Sequence, residues 1–418
     1  MRFVIPVLFA LTTSLLHAQW PCWRGPDGLG VSTARNVPVE WSKEKSVAWK
    51  APIPGFAASS PILLNDRVYV TTQTPEMGLH VIALEAKSGK VQWNREVARA
   101  KPLQNKLHNM ATPTPVTDGP RVYALFGTGD LVCLDGDGKV LWQRQLVQEY
   151  GEYKFNHGYG TSPMLYDKRL YVACMHQGPS YLLAIDTATG KNVWKKDRDI
   201  GPKGEAQDSY SSPIFFKSGS RTQIIIEGDE AVTAYDPGTG EQTWIVDGLT
   251  VPHPYGRTIS GLAAGEGAIV AVASGFQNRG YTVGLKANSK ERLWTSFKYS
   301  PDCPSPVVYN GNVFTVRDDG MASCLDLKTG EPRWQERLFS ANVKVSPVAA
   351  DGKIYFLNGQ GNCVVVKASP KLEILATNQF NEVTLGSPAV AGNQLFIRTE
   401  SNLYCIGKPA QLSKLEPR

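Results

Sequence analysis

A short phrase that ends in tryptophan recurs along this chain and constrains its fold more than any other feature. It reads AIDTATGKNVW at residues 184–194. Close versions occupy residues 83–93, 133–142, 234–244, 284–294 and 324–334. Self-similarity at a regular spacing indicates a repeat architecture, rather than the roughly two or three separate domains that the chain length would otherwise suggest.

Each phrase is part of a longer unit that begins at a Ser-Pro or Thr-Pro step. In residues 161–197 this step is followed by four short apolar runs with polar turns between them. Such runs predict a four-stranded antiparallel meander. The phrase is the last hairpin of that meander, because Asp186 can accept hydrogen bonds from turn amides and Gly190 can supply the positive φ of a bulged turn.

The tryptophan that closes each phrase predicts how the units pack. An indole buries ~150–250 Å² of surface, and a single four-stranded sheet has no partner for such a face. We therefore expect each ring to lie between neighbouring sheets that are arranged about one axis. The seven tryptophans in this position are Trp49, Trp93, Trp142, Trp194, Trp244, Trp294 and Trp334.

The proline steps define eight units, of which the last is incomplete. Residues 386–408 supply only three strands, whereas residues 46–53 carry a docking tryptophan with no three strands before it. We therefore predict an all-β fold, an eight-bladed β-propeller of four-stranded antiparallel blades, closed by the N-terminal strand in the last blade. The units start at Ser60-Pro61, Thr114-Pro115, Ser162-Pro163, Ser212-Pro213, Ser260-Gly261, Ser305-Pro306, Ser346-Pro347 and Ser387-Pro388.

Three segments outside the phrase sharpen this pattern: WRGPDGLGVS at residues 23–32, VAWKAPIPG at 47–55 and KLEILATNQF at 371–380. With them, the chain resembles the exported pyrroloquinoline-quinone-like (PQQ-like) propeller proteins of planctomycete-type bacteria. The resemblance implies two kinds of distant relative. Quinoprotein dehydrogenases are enzymes, whereas the BamB-like assembly subunit binds protein partners without a cofactor. The fold alone does not choose between them.

The resemblance also implies what a quinoprotein dehydrogenase needs: a flat aromatic floor, a calcium ion held by oxygen ligands and an Asp base. This sequence has no adjacent cysteine pair, and its remaining tryptophans, Trp20, Trp23 and Trp41, precede the repeats. We therefore expect no tryptophan at the channel floor. We predict a non-catalytic binding or scaffolding module, with no catalytic residues, no metal and no cofactor. One alternative is an alcohol- or sugar-oxidising enzyme that uses PQQ with Ca²⁺. Another is a hydrolase or lyase, for which the sequence offers no identifiable catalytic pair.

The N-terminal residues predict export. An early Arg, a short apolar run and Ala18 indicate a secretory signal peptide over residues 1–18. Residues 19–45 then form a leader, residues 46–408 the propeller and residues 409–418 a C-terminal tail. Because no later run is long and apolar enough to span a bilayer, we expect a periplasmic or extracellular protein.

Charge and cysteine usage limit the partners. The formal charge of +6 is spread along the chain without a basic block, so we expect no nucleic-acid partner. Cys133, Cys324 and Cys405 fall in a column of small apolar residues, two residues before the position that is acidic in most of the repeats. Most of the seven cysteines are therefore expected to be unpaired packing residues. We expect a monomer that binds an envelope protein, a peptide or a carbohydrate.

The loops that join neighbouring blades give the candidate site. In a propeller these loops share one face, and convergent polar and aromatic groups around a concave mouth are the default hypothesis for a binding site. The alternative is that they cap strand ends and hold water in the channel. The predicted site residues are His108, Asn109, His157, Tyr159, Tyr210, Arg257, Asp302 and Lys344, with Asp208, His253 and Tyr255 close by.

Overall fold

A computed structural model describes residues 19–407, apart from residues 44, 104, 106, 199, 202–203, 252–255, 276–278 and 341–342. The predicted signal peptide and C-terminal tail lie outside these residues, as do His253 and Tyr255. Across the described part of the chain, no helix has the length and apolar character needed to cross a membrane.

Eight sheets of four antiparallel strands form the predicted propeller, and one of them gains a fifth strand from the leader. The leader holds β1 (Val31–Ser32), and β2 (Val47–Pro52) follows it. Blade 1 consists of β3 (Ile62–Leu64), β4 (Arg67–Gln73), β5 (Gly78–Glu85) and β6 (Val91–Arg99). Blade 2 consists of β7 (Val116–Thr117), β8 (Arg121–Leu125), β9 (Asp130–Asp135) and β10 (Val140–Gln145). Blade 3 consists of β11 (Met164–Tyr166), β12 (Arg169–Cys174), β13 (Tyr181–Asp186) and β14 (Asn192–Asp197). Blade 4 consists of β15 (Ile214–Ser218), β16 (Arg221–Gly228), β17 (Ala231–Tyr235) and β18 (Gln242–Val246).

The second half of the ring repeats the pattern. Blades 5 and 6 are β19 (Ala263–Gly265), β20 (Ala268–Ala273), β21 (Tyr281–Lys286), β22 (Arg292–Ser296), and β23 (Val307–Tyr309), β24 (Asn312–Val316), β25 (Met321–Asp326), β26 (Pro332–Arg337). Blades 7 and 8 are β27 (Val348–Ala350), β28 (Lys353–Leu357), β29 (Asn362–Lys367), β30 (Ile374–Gln379), and β31 (Ala389–Ala391), β32 (Gln394–Arg398), β33 (Asn402–Ile406) with β2. Helix α1 (Leu146–Tyr150) and a 3-10 turn (Gly204–Gln207) lie in the loops after β10 and β14.

The ring closes as predicted. Strand β2 pairs antiparallel with β33, and Trp49 lies opposite Cys405. The first and last parts of the described chain thus share blade 8, so this blade has the same four strands as the others. Closure removes the free edge that an open array would expose.

The turn chemistry of the phrase is also confirmed. The Asp186 carboxylate accepts hydrogen bonds from the Thr189 amide (2.8 Å) and the Thr189 hydroxyl (2.7 Å). Gly190 has a φ of +70°, and the pairing of β13 with β14 shifts register beside Ala184. This is the bulged turn that the sequence predicts, and it sets the direction of Trp194.

The tryptophans lock each blade to the next through one recurring contact. The Trp93 indole N–H, for example, donates to the Gly136 carbonyl in the last turn of blade 2 (2.8 Å). Gly138 of that turn packs against the Trp93 indole, and a Cβ added at this glycine would come within 2.7 Å of the indole ring. The same inter-blade hydrogen bond is made by Trp49, Trp142, Trp194, Trp294 and Trp334.

Trp244 is the exception, and the sequence gives the reason. Its indole N–H donates to Gln223 of its own blade (3.2 Å). In the next blade, Lys290 stands four residues before Trp294, where the other phrases that end in tryptophan have glycine. The degenerate copy of the phrase therefore lacks the bare backbone on which an indole packs.

The small residues of the cysteine column lie directly opposite the tryptophans. Cys133 pairs with Trp142, Cys324 with Trp334 and Cys405 with Trp49. A small side chain is needed because the indole covers this position; at Gly284, an added Cβ would approach Trp294 to 2.3 Å. All seven cysteines have free thiols, and all are buried except Cys303, which is partly exposed.

Blade 7 has no tryptophan of its own, and the leader supplies one. Ala376 stands opposite Val365, where the other blades place the indole. Trp41 instead packs on Tyr355 with its ring centroid 6.5 Å away, and it is 4% exposed. In five other blades the corresponding aromatic residue of the second strand contacts the blade's own tryptophan. Trp41 therefore takes the place of the missing indole.

The Ser-Pro and Thr-Pro steps form a hydrogen-bonded ring around the axis. The backbone N–H of one step donates to the side-chain oxygen of the step in the next blade, as from Thr114 to Ser162 (3.0 Å) and from Ser162 to Ser212 (2.9 Å). The hydroxyl oxygens that accept such a bond belong to Thr114, Ser162, Ser212, Ser305, Ser346 and Ser387.

Blade 5 corrects one detail of the predicted units. The residue that donates to Ser305 is Gly261 (2.7 Å), and β19 begins two residues after it. Gly261 therefore takes the serine position and Leu262 the proline position. The sequence-based start at Ser260-Gly261 is one residue too early.

Removing one ring hydroxyl should cost more than its size suggests. We expect Ser162→Ala to lower the free energy of unfolding by ~1–3 kcal/mol, because the buried Thr114 N–H loses its acceptor. Ser60→Ala is the matched control, because the Ser60 hydroxyl is buried without a hydrogen-bond partner. We expect it to change stability by less than ~0.5 kcal/mol. Urea unfolding measures both, and equal losses would contradict the role of the ring.

Candidate functional site

A central cavity of about 380 Å³ lies on the propeller axis. Its lining comes mainly from the loops that join the blades, so it opens on the face that these loops form, here called the loop face. The loops after β6, β10, β14 and β18 are longer than those after β22, β26 and β30. The ring hydroxyls of the proline steps also line the cavity.

Trp23 of the leader lines the cavity, and this overturns the expectation that no tryptophan would reach the channel floor. The indole packs against Gly261, where an added Cβ would come within 2.8 Å of the ring. Glycine at the serine position of blade 5 thus leaves the space that Trp23 occupies.

The leader holds Trp23 in place by crossing the inner strands. Its backbone hydrogen-bonds to Leu63 in blade 1, to Thr117 in blade 2 and to Phe215 in blade 4. Strand β1 then pairs in parallel with β27 of blade 7.

Arg24 anchors the leader beside the cavity. It is 1% exposed, and its guanidinium donates to the backbone carbonyls of Leu262 (3.2 Å), Leu29 (3.3 Å) and Pro306. Burial lowers the pKa of Arg24 to about 9. These contacts fix the residue next to Trp23 against blades 5 and 6.

The structure brings six of the eight predicted site residues to the cavity. They come from loops far apart in sequence and meet only because the ring closes. The six are His108, His157, Tyr210, Arg257, Asp302 and Lys344.

Asn109 and Tyr159 do not line the cavity. The Asn109 side chain joins two loops instead: its amide donates to the Phe56 carbonyl in the segment between β2 and β3 (2.7 Å), and its oxygen accepts from the Ala111 amide of its own loop (3.0 Å). Tyr159 is 2% exposed; its ring stacks on Tyr153 and its hydroxyl donates to a backbone carbonyl. The position of this side chain therefore indicates a packing role. Counting back from the proline step had located the backbone of Tyr159 at the mouth, but it could not give the direction of the side chain.

A chain of ion pairs crosses the cavity wall. Arg257 lies 3.4 Å from Glu205 and 3.8 Å from Asp302, measured between guanidinium nitrogens and carboxylate oxygens. The Lys344 ammonium donates to Asp318 (2.9 Å). Most of the charge is therefore neutralised within the wall, but Asp302 Oδ1 is buried without a hydrogen-bond partner.

Two titratable groups of the cavity are shifted toward their neutral forms. Burial, helped by the neighbouring Asp318 carboxylate, raises the pKa of Asp302 to about 6. Burial, together with the nearby His157, lowers the pKa of His108 to about 4. Nδ1 of His108 is buried without a hydrogen-bond partner. Shifted groups in a concave site are typical of functional sites.

The raised pKa of Asp302 gives a pH-dependent stability. Because the folded-state pKa of about 6 lies above the unfolded value of ~3.9, the native state binds the extra proton, and stability falls as pH rises from about 4 to 6. As the pH rises from 4 to 7, we expect the free energy of unfolding of Asp302→Asn to increase by up to ~3 kcal/mol relative to that of the wild type. Asp137→Asn, whose side chain is 94% exposed, is the control. A difference from the wild type that stays constant with pH for Asp302→Asn would contradict the shift.

Asp302, Cys303 and Asp318 are the one group in the described residues whose ligand atoms lie close enough to share a metal ion, within 4.8 Å of one another. Lys344 already occupies this group, since its ammonium lies 2.9 Å from Asp318 and 3.4 Å from Cys303 Sγ. Burial raises the pKa of the Cys303 thiol, so the sulfur stays protonated. A metal could bind only by displacing the lysine.

Sequence reasoning missed Trp23, Glu205, Asp318 and the ring hydroxyls. Asp318 lies outside the inter-blade loops, and its carboxylate reaches the cavity wall by accepting the Asp302 amide (2.9 Å). A signal for Trp23 was present in the one step that lacks proline, Ser260-Gly261. It could be interpreted only once the ring hydroxyl pattern was known.

The chain matches the family model described as outer membrane protein assembly factor BamB, over residues 27–209 and 108–336. It is 27% identical over 270 residues to a polyvinylalcohol dehydrogenase of Pseudomonas sp., covering 54% of this chain and 40% of that protein. It is 26% identical over 254 residues to BamB of Burkholderia pseudomallei (strain K96243), covering 58% of each chain. The match therefore spans less than two thirds of the length of either relative.

Among solved structures, the quinohemoprotein alcohol dehydrogenase of Comamonas testosteroni superposes with a TM-score of 0.72. The superposition covers 94% of this chain and 81% of that one, at 12% sequence identity. At this identity the likeness concerns the fold alone.

Proposed function

Because the chain belongs to the family described as outer membrane protein assembly factor BamB, we propose that it is a non-catalytic binding propeller of the cell envelope. The observation that carries the proposal is the central cavity on the loop face, closed by the leader and surrounded by polar groups from many loops. Rigid blades that present such loops are typical of binding scaffolds. The partner classes are those expected from the sequence: an envelope protein, a peptide or a carbohydrate.

Features beside the cavity support binding on the loop face. A groove of about 650 Å³ adjoins it and shares Leu107, Lys344 and Leu385 with its lining. Leu107 and Val383 in this groove are large apolar side chains that are 49% and 43% exposed. Exposed apolar groups next to a polar cavity are typical of interaction surfaces.

Site-specific photo-crosslinking in envelope extracts tests the location of the partner. We expect a crosslinking residue at Leu107 or Val383 to capture a defined partner. Val193 on an outer strand is the control position, with a comparable exposure of 42%. Equal capture at all three positions, or capture at Val193 alone, would overturn the proposal.

A quinone-dependent oxidoreductase is the second candidate, and Trp23 is the observation that favours it. A flat indole in the cavity suits a planar quinone, which would supply the redox chemistry when bound. The cation that accompanies a quinone fits less well. Calcium prefers oxygen ligands, whereas the group of Asp302, Asp318 and Cys303 includes a protonated thiol and holds the Lys344 ammonium. The cavity residues therefore suit the planar quinone but not the calcium ion.

Adding PQQ and Ca²⁺ to the purified protein separates the two candidates. We expect no saturable change in absorbance and no dye-linked oxidation of alcohols. Saturable binding with turnover would replace the binding-module proposal by the enzyme. In that case Trp23→Leu should abolish PQQ binding. Asp137→Asn is the control, because Asp137 is exposed and does not line the cavity, and it should leave PQQ binding unchanged.

A further inference from the structure

We infer that the central cavity binds a neutral polyhydroxylated ligand, such as a mono- or disaccharide. The inference rests on the proposed binding function and names the ligand class of the same cavity. Three observations carry it: the hydroxyl ring, the Asp302 carboxylate and the indole of Trp23 all line the cavity.

The hydroxyl ring has unused hydrogen-bonding capacity that faces the cavity. Each of its hydroxyl oxygens accepts one backbone N–H, and the residues are only 1–5% exposed. Within the part of the chain that the structure describes, none of these hydroxyls donates a hydrogen bond to the protein. A serine or threonine hydroxyl has one donor and two lone pairs, so each retains its proton and one lone pair. The ring consists of Thr114, Ser162, Ser212, Ser305, Ser346 and Ser387.

A ligand that both donates and accepts suits this ring better than an anion does. Hydroxyl groups of a polyol match groups that can do both, whereas an anion only accepts. The Asp302 carboxylate, which also lines the cavity, then decides between the two, because it accepts hydrogen bonds and would repel a negative charge. A ligand hydroxyl can donate to this carboxylate, whereas an anion cannot.

The charges and the apolar lining also favour a neutral ligand. Arg257 is engaged by Glu205 and Asp302, and Lys344 by Asp318. A charged ligand would have to compete with these internal pairs. Trp23 adds an aromatic side chain to the polar lining, and an indole suits the C–H face of a sugar. The volume of about 380 Å³ lies at the small end of the ~300–1,000 Å³ range of ligand pockets.

Isothermal titration calorimetry on the full-length protein tests the ligand class. The neutral probes are glucose, N-acetylglucosamine, maltose and cellobiose, and the anionic probes are sulfate and citrate. We expect saturable binding of at least one neutral sugar and of neither anion. Asp302→Asn keeps the size of the side chain and should weaken that binding at least tenfold, as should Trp23→Leu. Asp137→Asn, on an exposed turn, should leave the dissociation constant unchanged.

The outcomes separate this inference from the proposed function. Binding of an anion but of no sugar, or of none of the six probes, overturns the ligand class. Sugar binding that neither Asp302→Asn nor Trp23→Leu weakens places the ligand elsewhere and overturns it too. The melting temperature of each variant shows whether it is folded. The crosslinking at Leu107 and Val383 is independent of the titration, so a captured partner would leave the binding function standing even if every sugar failed.

Discussion

Replacing Val47–Pro52 by a glycine–serine segment of equal length should open the ring and make the protein aggregate. The replacement removes Trp49, which hydrogen-bonds to Ala86 of blade 1 and lies between blades 8 and 1. It also removes the strand that covers β33. We expect the free energy of unfolding to fall by at least ~5 kcal/mol, because a buried tryptophan alone contributes ~3–5 kcal/mol and further apolar contacts are lost with it. The exposed edge of β33 then becomes a template for pairing with other chains.

Size-exclusion chromatography with light scattering and thermal unfolding measure both effects. The matched control changes only outward-facing residues of the same strand, Ala48→Ser and Pro52→Ser, which are exposed. This variant should stay monodisperse with a nearly unchanged melt. A glycine–serine variant that remains monodisperse with the wild-type melting temperature would mean that β2 does not hold the ring together.

The propeller could be predicted from the sequence because one local phrase determines both the turn and the contact between blades. Asp186, Gly190 and Trp194 lie within a single hairpin, and the aspartate and glycine act in the same way in the copies at 234–244 and 324–334. The pairing of the termini followed from counting strands. The departures were also local where the phrase had degenerated, as at Lys290, which leaves Trp244 without its usual acceptor.

The cavity was only partly predictable, because side-chain direction and the course of the leader depend on the closed ring. Counting along the loops assigned Arg257 and Asp302 to the mouth, and both line the cavity because their loops reach the axis. The same counting assigned Tyr159 to the mouth, although its side chain turns into an aromatic cluster. Nothing local in the leader indicates that Trp23 enters the channel. Its partner, Gly261, lies in blade 5, far along the chain.

Trp41→Ala should be among the most destabilising single substitutions in the leader. The ring is 4% exposed and fills the space between blades 7 and 8 where Ala376 leaves no indole. Removing a buried tryptophan costs ~3–5 kcal/mol. We therefore expect a loss of this size in the free energy of unfolding, measured with guanidinium chloride.

A second substitution distinguishes the replacement of a missing indole from ordinary packing. Ala376→Trp restores the residue that the other blades carry, but with Trp41 present it overfills the site and should cost ~1–3 kcal/mol. In the double variant Trp41→Ala/Ala376→Trp, the new indole can occupy the vacated space beside Tyr355. We expect it to be more stable than Trp41→Ala alone, so that the two changes are strongly non-additive. Additive losses in the double-mutant cycle would show that Trp41 packs at a site of its own.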